Sequence, residues 1–184
     1  MAENLNYDYN VGTAKSYCYD DKIENCQKYG RLYTWAAAMD SAAIYSDYGK
    51  GCGFNRKCSP TYPVQGVCPD GWHLPDFSEW SVILGVVGVK NLGIITSPKS
   101  RLLKSRNGWS RNGNGTDSLG FTVLPAGYHY YENFKFKDEL AMFWTSNDEH
   151  RKATFTVNFF YDRPFATILE NRKNHAISVR CIKD

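Results

Sequence analysis

Six cysteines, at positions 18, 26, 52, 58, 68 and 181 of a 184-residue chain, set the tightest limit on how it folds. The count is even, no C-x-x-C pair is present, and no histidines sit at ligand spacing. Zinc sites bring cysteines two to four residues apart, and these pairs are wider. Six cysteines leave fifteen pairings open. The spacing favours Cys18–Cys26 and Cys52–Cys58 as local loop staples, with Cys68–Cys181 closing a long loop. On a chain-entropy model, a loop of that order contributes about 4–5 kcal/mol. Stable disulfides require an oxidising compartment. The start, Met1-Ala-Glu-Asn-Leu-Asn6, is polar and has no basic-then-apolar leader. The expectation is an extracytoplasmic protein, secreted or anchored at a bacterial surface, whose signal or anchor is absent from this chain.

The length fits one domain with its own core, and no internal repeat or low-complexity linker divides it. Thirteen Tyr, ten Phe and five Trp point to short strands, many turns and aromatic surfaces. The net charge of +3, from 22 basic and 19 acidic residues, is too small to imply nucleic acid. The nearest thing to a basic run, Arg101 to Arg111, is diluted by Asn, Gly and Ser and reads as a solvated loop. The most apolar run, Val82 to Val89, is interrupted by Gly85 and Gly88. It falls far short of the roughly 20 residues of a membrane helix, so no transmembrane segment is expected.

Leu32 to Met39 reads as a helix, with Leu32, Trp35, Ala36 and Met39 on one face. A second helix follows Pro75. Asp76 with Glu79 three residues on makes a capping box; Trp80, Ile83, Leu84 and Val87 form the buried stripe, and Gly88 is the stop. Residues 45–63 form a Gly/Cys/Pro loop, and residues 108–120 a loop punctuated by Asn-Gly turns. Thereafter short strands are expected at 121–124, 127–131, 141–145, 153–160, 164–169 and 177–182, as in an antiparallel meander. Phe155, Val157 and Phe159 alternate onto one face. Helices first and strands second make an α+β domain.

Several motifs occur in order along nearly the whole chain. They are Met1-Ala-Glu-Asn-Leu-Asn-Tyr7, Tyr29-Gly-Arg-Leu-Tyr-Thr-Trp-Ala-Ala-Ala-Met39 and Pro63-Val-Gln-Gly-Val-Cys-Pro-Asp-Gly-Trp-His-Leu-Pro75, then Gly115-Thr-Asp-Ser-Leu-Gly-Phe121, Leu124-Pro-Ala-Gly-Tyr128, Phe143-Trp-Thr-Ser146 and Ser178-Val-Arg-Cys-Ile-Lys-Asp184. Together they resemble the Fibrobacter succinogenes major paralogous domain, a family of exported bacterial proteins. That family resembles the C-type-lectin-like superfamily, with formylglycine-generating enzymes and retroelement variable receptors among its relatives. The resemblance implies a C-type-lectin-like fold: two helices on a small twisted antiparallel sheet, disulfide-pinned loops, a central C-terminal strand held by Cys181, and a first strand lost from this chain. It carries no ligand with it.

No enzymatic constellation stands out. The Glu-Pro-Asn and Gln-Pro-Asp tripeptides of calcium-dependent sugar binding are absent, and Trp144-Thr-Ser-Asn147-Asp148 is only a loose echo of the remaining motif. Asn112, Asn114, Asp117 and Ser118 offer hard oxygens, but tight turns need the same residues. No cofactor or metal is expected. His73 is expected to hydrogen-bond within the core, while His150 and His175 fall in turns where they could meet ligand. A second cysteine near Cys181, which formylglycine chemistry would need, is missing. Between Tyr128 and His175 the loops are dense in residues that recognition surfaces use. By analogy with the variable receptors, the candidate ligand contacts are Tyr130, Tyr131, Trp144, Asn147, Asp148, Arg151, Asn158, Tyr161, Arg163, Arg172 and Asn174. The expectation is a non-enzymatic surface module binding glycan or protein. The alternatives are a scaffold domain without a specific ligand and a divergent enzyme.

Overall fold

The computed structural model describes residues 3–85 and 95–184. In chain order, the first half runs β1 (Asn10–Val11), β2 (Ala14–Tyr17), α1 (Ile23–Tyr29), β3 (Leu32–Thr34), α2 (Trp35–Ala38), β4 (Trp72–His73) and α3 (Phe77–Leu84). The second half runs β5 (Ile95–Ser97), α4 (Ser100–Leu103), β6 (Tyr128–Tyr130), β7 (Asn133–Lys135), β8 (Leu140–Trp144), β9 (Ala153–Phe160), β10 (Ala166–Arg172), β11 (His175–Ser178) and β12 (Ile182–Lys183). The chain is α+β, as expected. The sheet is not small: among the described residues ten strands join in it, in the order β1-β2-β3-β11-β8-β9-β10-β5, with β6 pairing β11 and β7. Nor is it wholly antiparallel, because β11 meets β8 in parallel through Ser178 and Phe143. The C-terminal β11 is central, between β3 and β8.

Alternation explains why this sheet carries a core on each face. In β8, Leu140, Met142 and Trp144 join Tyr33, Trp35, Ile177 and Val179 on one side. Ala141 and Phe143 point the other way, onto Val157, Phe159 and Ile168, where α3 lays down Trp80 and Leu84. Phe155 packs at the margin of this second core, so its stripe with Val157 and Phe159 falls where the period-two pattern puts it.

The capping box of α3 forms as read: the Asp76 carboxylate accepts from Glu79 N at 2.8 Å, and Glu79 Oε2 accepts from Asp76 N at 2.9 Å. The helix ends at Leu84, where Gly85 adopts φ +67°. Val87 and Gly88 lie outside the described residues.

The helix expected at 32–39 is corrected. Leu32–Thr34 pair with β2 and β11, and only one helical turn follows, capped by the Thr34 hydroxyl accepting from Ala37 N. Helix α1, unforeseen in a polar segment, buries Asn25, Cys26 and Tyr29. Residues 121–124 form no strand beyond a single Lys104–Val123 bridge. The carbonyls of Phe121 and Thr122 instead accept from the buried Arg180 guanidinium, which also binds Asn4 Oδ1 at 2.8 Å. The last expected strand breaks between Ser178 and Ile182, where Val179 O accepts from Leu5 N and so ties the N-terminal segment to the sheet.

The three disulfides are Cys18–Cys26, Cys52–Cys58 and Cys68–Cys181, the last spanning 113 residues. Near the third, β12 pairs with β4. There His73 is clamped between two carboxylates, Nδ1 to Asp184 at 2.5 Å and Nε2 to Glu79 at 2.8 Å. Burial alone would lower the imidazole pKa. The hydrogen bonds to Asp184 and Glu79 outweigh it and raise the value above 6.5. Among the described residues no helix is long and apolar enough to cross a membrane.

Candidate binding site

Strand β6 reads Tyr-His-Tyr, so its two tyrosines share a face and His129 takes the other. His129 packs inward against Tyr17 and Phe134. Tyr128 and Tyr130 face the opposite way. Register places His175 of β11 directly across from Tyr130 and therefore on the same face. Gly127 makes the approach possible. It sits at φ +66°, and a Cβ there would lie 2.3 Å from Lys135 O in the paired hairpin.

These placements string five rings together. Phe136 lies 5.8 Å from Tyr128, Tyr128 stacks on His175 at 5.1 Å, His175 meets Tyr130 edge-on at 4.7 Å, and Tyr130 meets Tyr131 at 4.4 Å. Tyr131 is 71% exposed and Phe136 50%, while the three central rings are half-buried. A contiguous run of five rings with both ends open is the kind of surface that meets a ligand. Arg172 stands close enough to act electrostatically on both Tyr131 and His175. Burial, then Arg172, pushes the His175 pKa down to about 4, so the ring is neutral at physiological pH. His175 Nδ1 and the neighbouring Asn174 Oδ1 are buried without a hydrogen-bond partner among the described residues.

Of the eleven residues expected to contact ligand, Tyr130 and Tyr131 lie in this strip and Arg172 beside it, while Asn174 is only the sequence neighbour of His175. Asn174 also lines a cleft of about 360 Å³ with Thr34, Gly53, Phe54 and Lys173. Arg151 is exposed on the loop between β8 and β9. Four others are interior or committed elsewhere, which corrects their placement at the surface. Trp144 is fully buried and its indole donates to Tyr33 O. Asn158 is buried and its amide donates to Thr156 O at 3.0 Å. The Asn147 side chain accepts from Phe77 N at 2.7 Å, satisfying the first amide of α3. Asp148 pairs with the buried Lys173 ammonium and accepts from Cys58 N at 2.8 Å. Lys173 in turn lies 3.8 Å over the Trp35 ring.

Tyr161 and Arg163 sit apart from the strip, in a second cleft. His150 is exposed, 3.4 Å from Glu170. In the Asn-rich loop, Asn114 accepts from Trp109 N and the Asp117 carboxylate takes both Thr122 N and its hydroxyl, so these oxygens serve the turn. Tyr128 and Phe136 were not foreseen. The period-two spacing of Tyr128 and Tyr130 was a usable signal, whereas Phe136 reaches the strip only through a positive-φ turn.

The family model described as the Fibrobacter succinogenes major domain matches residues 1–183. No curated protein and no solved structure matches the chain.

Proposed function

The chain belongs to the Fibrobacter succinogenes major domain family, and on that premise we propose that it is a non-enzymatic, extracytoplasmic binding module whose ligand is a glycan stacked on the strip from Phe136 to Tyr131. We assign the fold to the C-type-lectin-like class, with display at a bacterial surface. The observation that carries the reading is the run of five rings at 4.4–5.8 Å spacing, ending on the open faces of Tyr131 and Phe136. Aromatic rings offer sugars a large rigid apolar surface, and the phenol tips and Arg172 offer hydrogen bonds around it. His175 supports the reading because it is neutral and so presents an uncharged ring within the strip. Against catalysis, all six cysteines are bridged and His73 holds two structural carboxylates. Asp148 is spent on Lys173.

A glycan array with the intact chain, repeated with Tyr131→Ala and Tyr130→Ala, tests this. Saturable binding that weakens about tenfold or more in each variant, with unchanged thermal melting, is expected from the truncation of an aromatic anchor. Capture of a protein by the same strip without glycan binding would replace the ligand class. No saturable ligand at all would leave a scaffold domain.

A further inference from the structure

The segment from Arg101 to Arg111 reads in sequence as a solvated loop, yet the fold folds it against the β9–β10 hairpin. Between them lies a cleft of about 370 Å³ lined by Arg101, Lys104, Arg111, Tyr161, Asp162 and Arg163. Four cations face one carboxylate there, and none of the four has an ion-pair partner among the described residues. Lys104 is buried at 3% exposure. Its ammonium donates to Phe160 O at 2.9 Å and lies 4.2 Å over the Trp109 ring. That uses one of three N–H donors. Burial depresses its pKa to about 8, against the opposing pull of Asp162. Asp162 offsets the cost of burying this cation only in part, from beyond ion-pair distance, and an incoming anion would offset more of it. The two walls touch. Gly113 approaches the hairpin so closely that a Cβ would lie 2.5 Å from Tyr161 O, and Arg111 donates to the Tyr161 hydroxyl at 3.2 Å.

The backbone ties the walls of this cleft to the segment that follows Phe136. Ser110 N donates to Asp138 O at 2.7 Å, and Tyr161 N to Glu139 O at 2.8 Å, two and three residues beyond Phe136. We propose that this cleft binds the oxyanion group, sulfate ester or carboxylate, of an acidic polysaccharide whose neighbouring sugars run toward the strip. The cleft's affinity for the anion stands on its own geometry; that a polysaccharide carries it rests on the glycan reading above. Arg111 and Arg163 provide exposed guanidinium forks suited to bidentate capture, and Lys104 provides the fixed charge at the floor.

Amide chemical-shift titrations of the intact chain with a sulfated monosaccharide, a uronate oligosaccharide, a sulfated oligosaccharide, a neutral oligosaccharide, inorganic sulfate and a phosphopeptide test the proposal. The expected result is that the sulfated or uronate sugars shift Gly113 and Tyr161, and that Arg111→Gln and Arg163→Gln each weaken them about tenfold. Added salt should weaken binding further. Which of the sulfated and uronate arms binds identifies the oxyanion. Lys104→Met, checked for folding by thermal melting, should weaken both arms. Sulfated monosaccharide binding that survives Tyr131→Ala supports the cleft even if the strip binds no sugar. Response to inorganic sulfate alone, tighter binding of the phosphopeptide than of any acidic sugar, or no response from the intact chain at low ionic strength would each overturn the proposal.

Discussion

Replacing Asp148 separates a structural from a ligand-binding role, because the two roles predict opposite outcomes. Its carboxylate is 3% exposed, faces a Lys173 side chain that is fully buried, and accepts from Cys58 N. Asp148→Asn keeps the shape and an acceptor for Cys58 N but strands the ammonium over the Trp35 ring. Removing one partner of a buried ion pair costs about 3–5 kcal/mol, since the other charge stays desolvated. For a chain of this size that lowers the melting temperature by roughly 6–20 °C. Lys173→Met should destabilise comparably, because it leaves the carboxylate with one amide donor. In the double variant Asp148→Asn/Lys173→Met both charges are gone and Cys58 N keeps its acceptor, so most of the loss should return. Urea unfolding of the four proteins completes the cycle. Asp148→Asn with an unchanged midpoint, unchanged m-value and abolished ligand binding would refute the structural reading.

Two further outcomes follow from the same physics. Replacing Cys68 and Cys181 together by Ala should cost about 4–5 kcal/mol, measured by denaturant unfolding, given the 113-residue separation they close. His73 has a folded pKa above its unfolded 6.5, so its protonated form binds more tightly in the native state. Its contribution is therefore complete below pH 6.5 and is lost as pH rises through the folded value. His73→Gln should flatten the stability profile across that window. Its partners Glu79 and Asp184 are 33% and 52% exposed, so the slope to be removed is modest.

Local rules were legible in the sequence; tertiary partnerships, the Cys68–Cys181 bridge apart, were not. The Asp76–Glu79 box, strand β9 and the three disulfides each depend on spacing within a segment or on cysteine count, and they formed as read. Leu32–Thr34 satisfied a helical period equally well, but pairing with β2 and β11 from distant parts of the chain decided it for strand. Asp148 sits among Glu149, His150, Arg151 and Lys152 and looks like solvated charge. Its counter-ion arrives 25 residues later. Trp144 and Asn158 failed as surface candidates because the sheet is covered on both faces, so alternation did not separate inside from outside. The basic cleft was invisible for a related reason: Arg163 joins Arg101, Lys104 and Arg111 only after the β9–β10 hairpin folds over them.

The central claim, that the strip from Phe136 to Tyr131 is the recognition surface, is tested most directly by a crystal structure with the tightest-binding oligosaccharide of the array. A sugar ring in stacking contact with Tyr131 or Tyr130, with a hydroxyl near Arg172, is the predicted result. An oligosaccharide seated instead in the cleft of Thr34, Gly53, Phe54 and Asn174, with the strip bare, would contradict it.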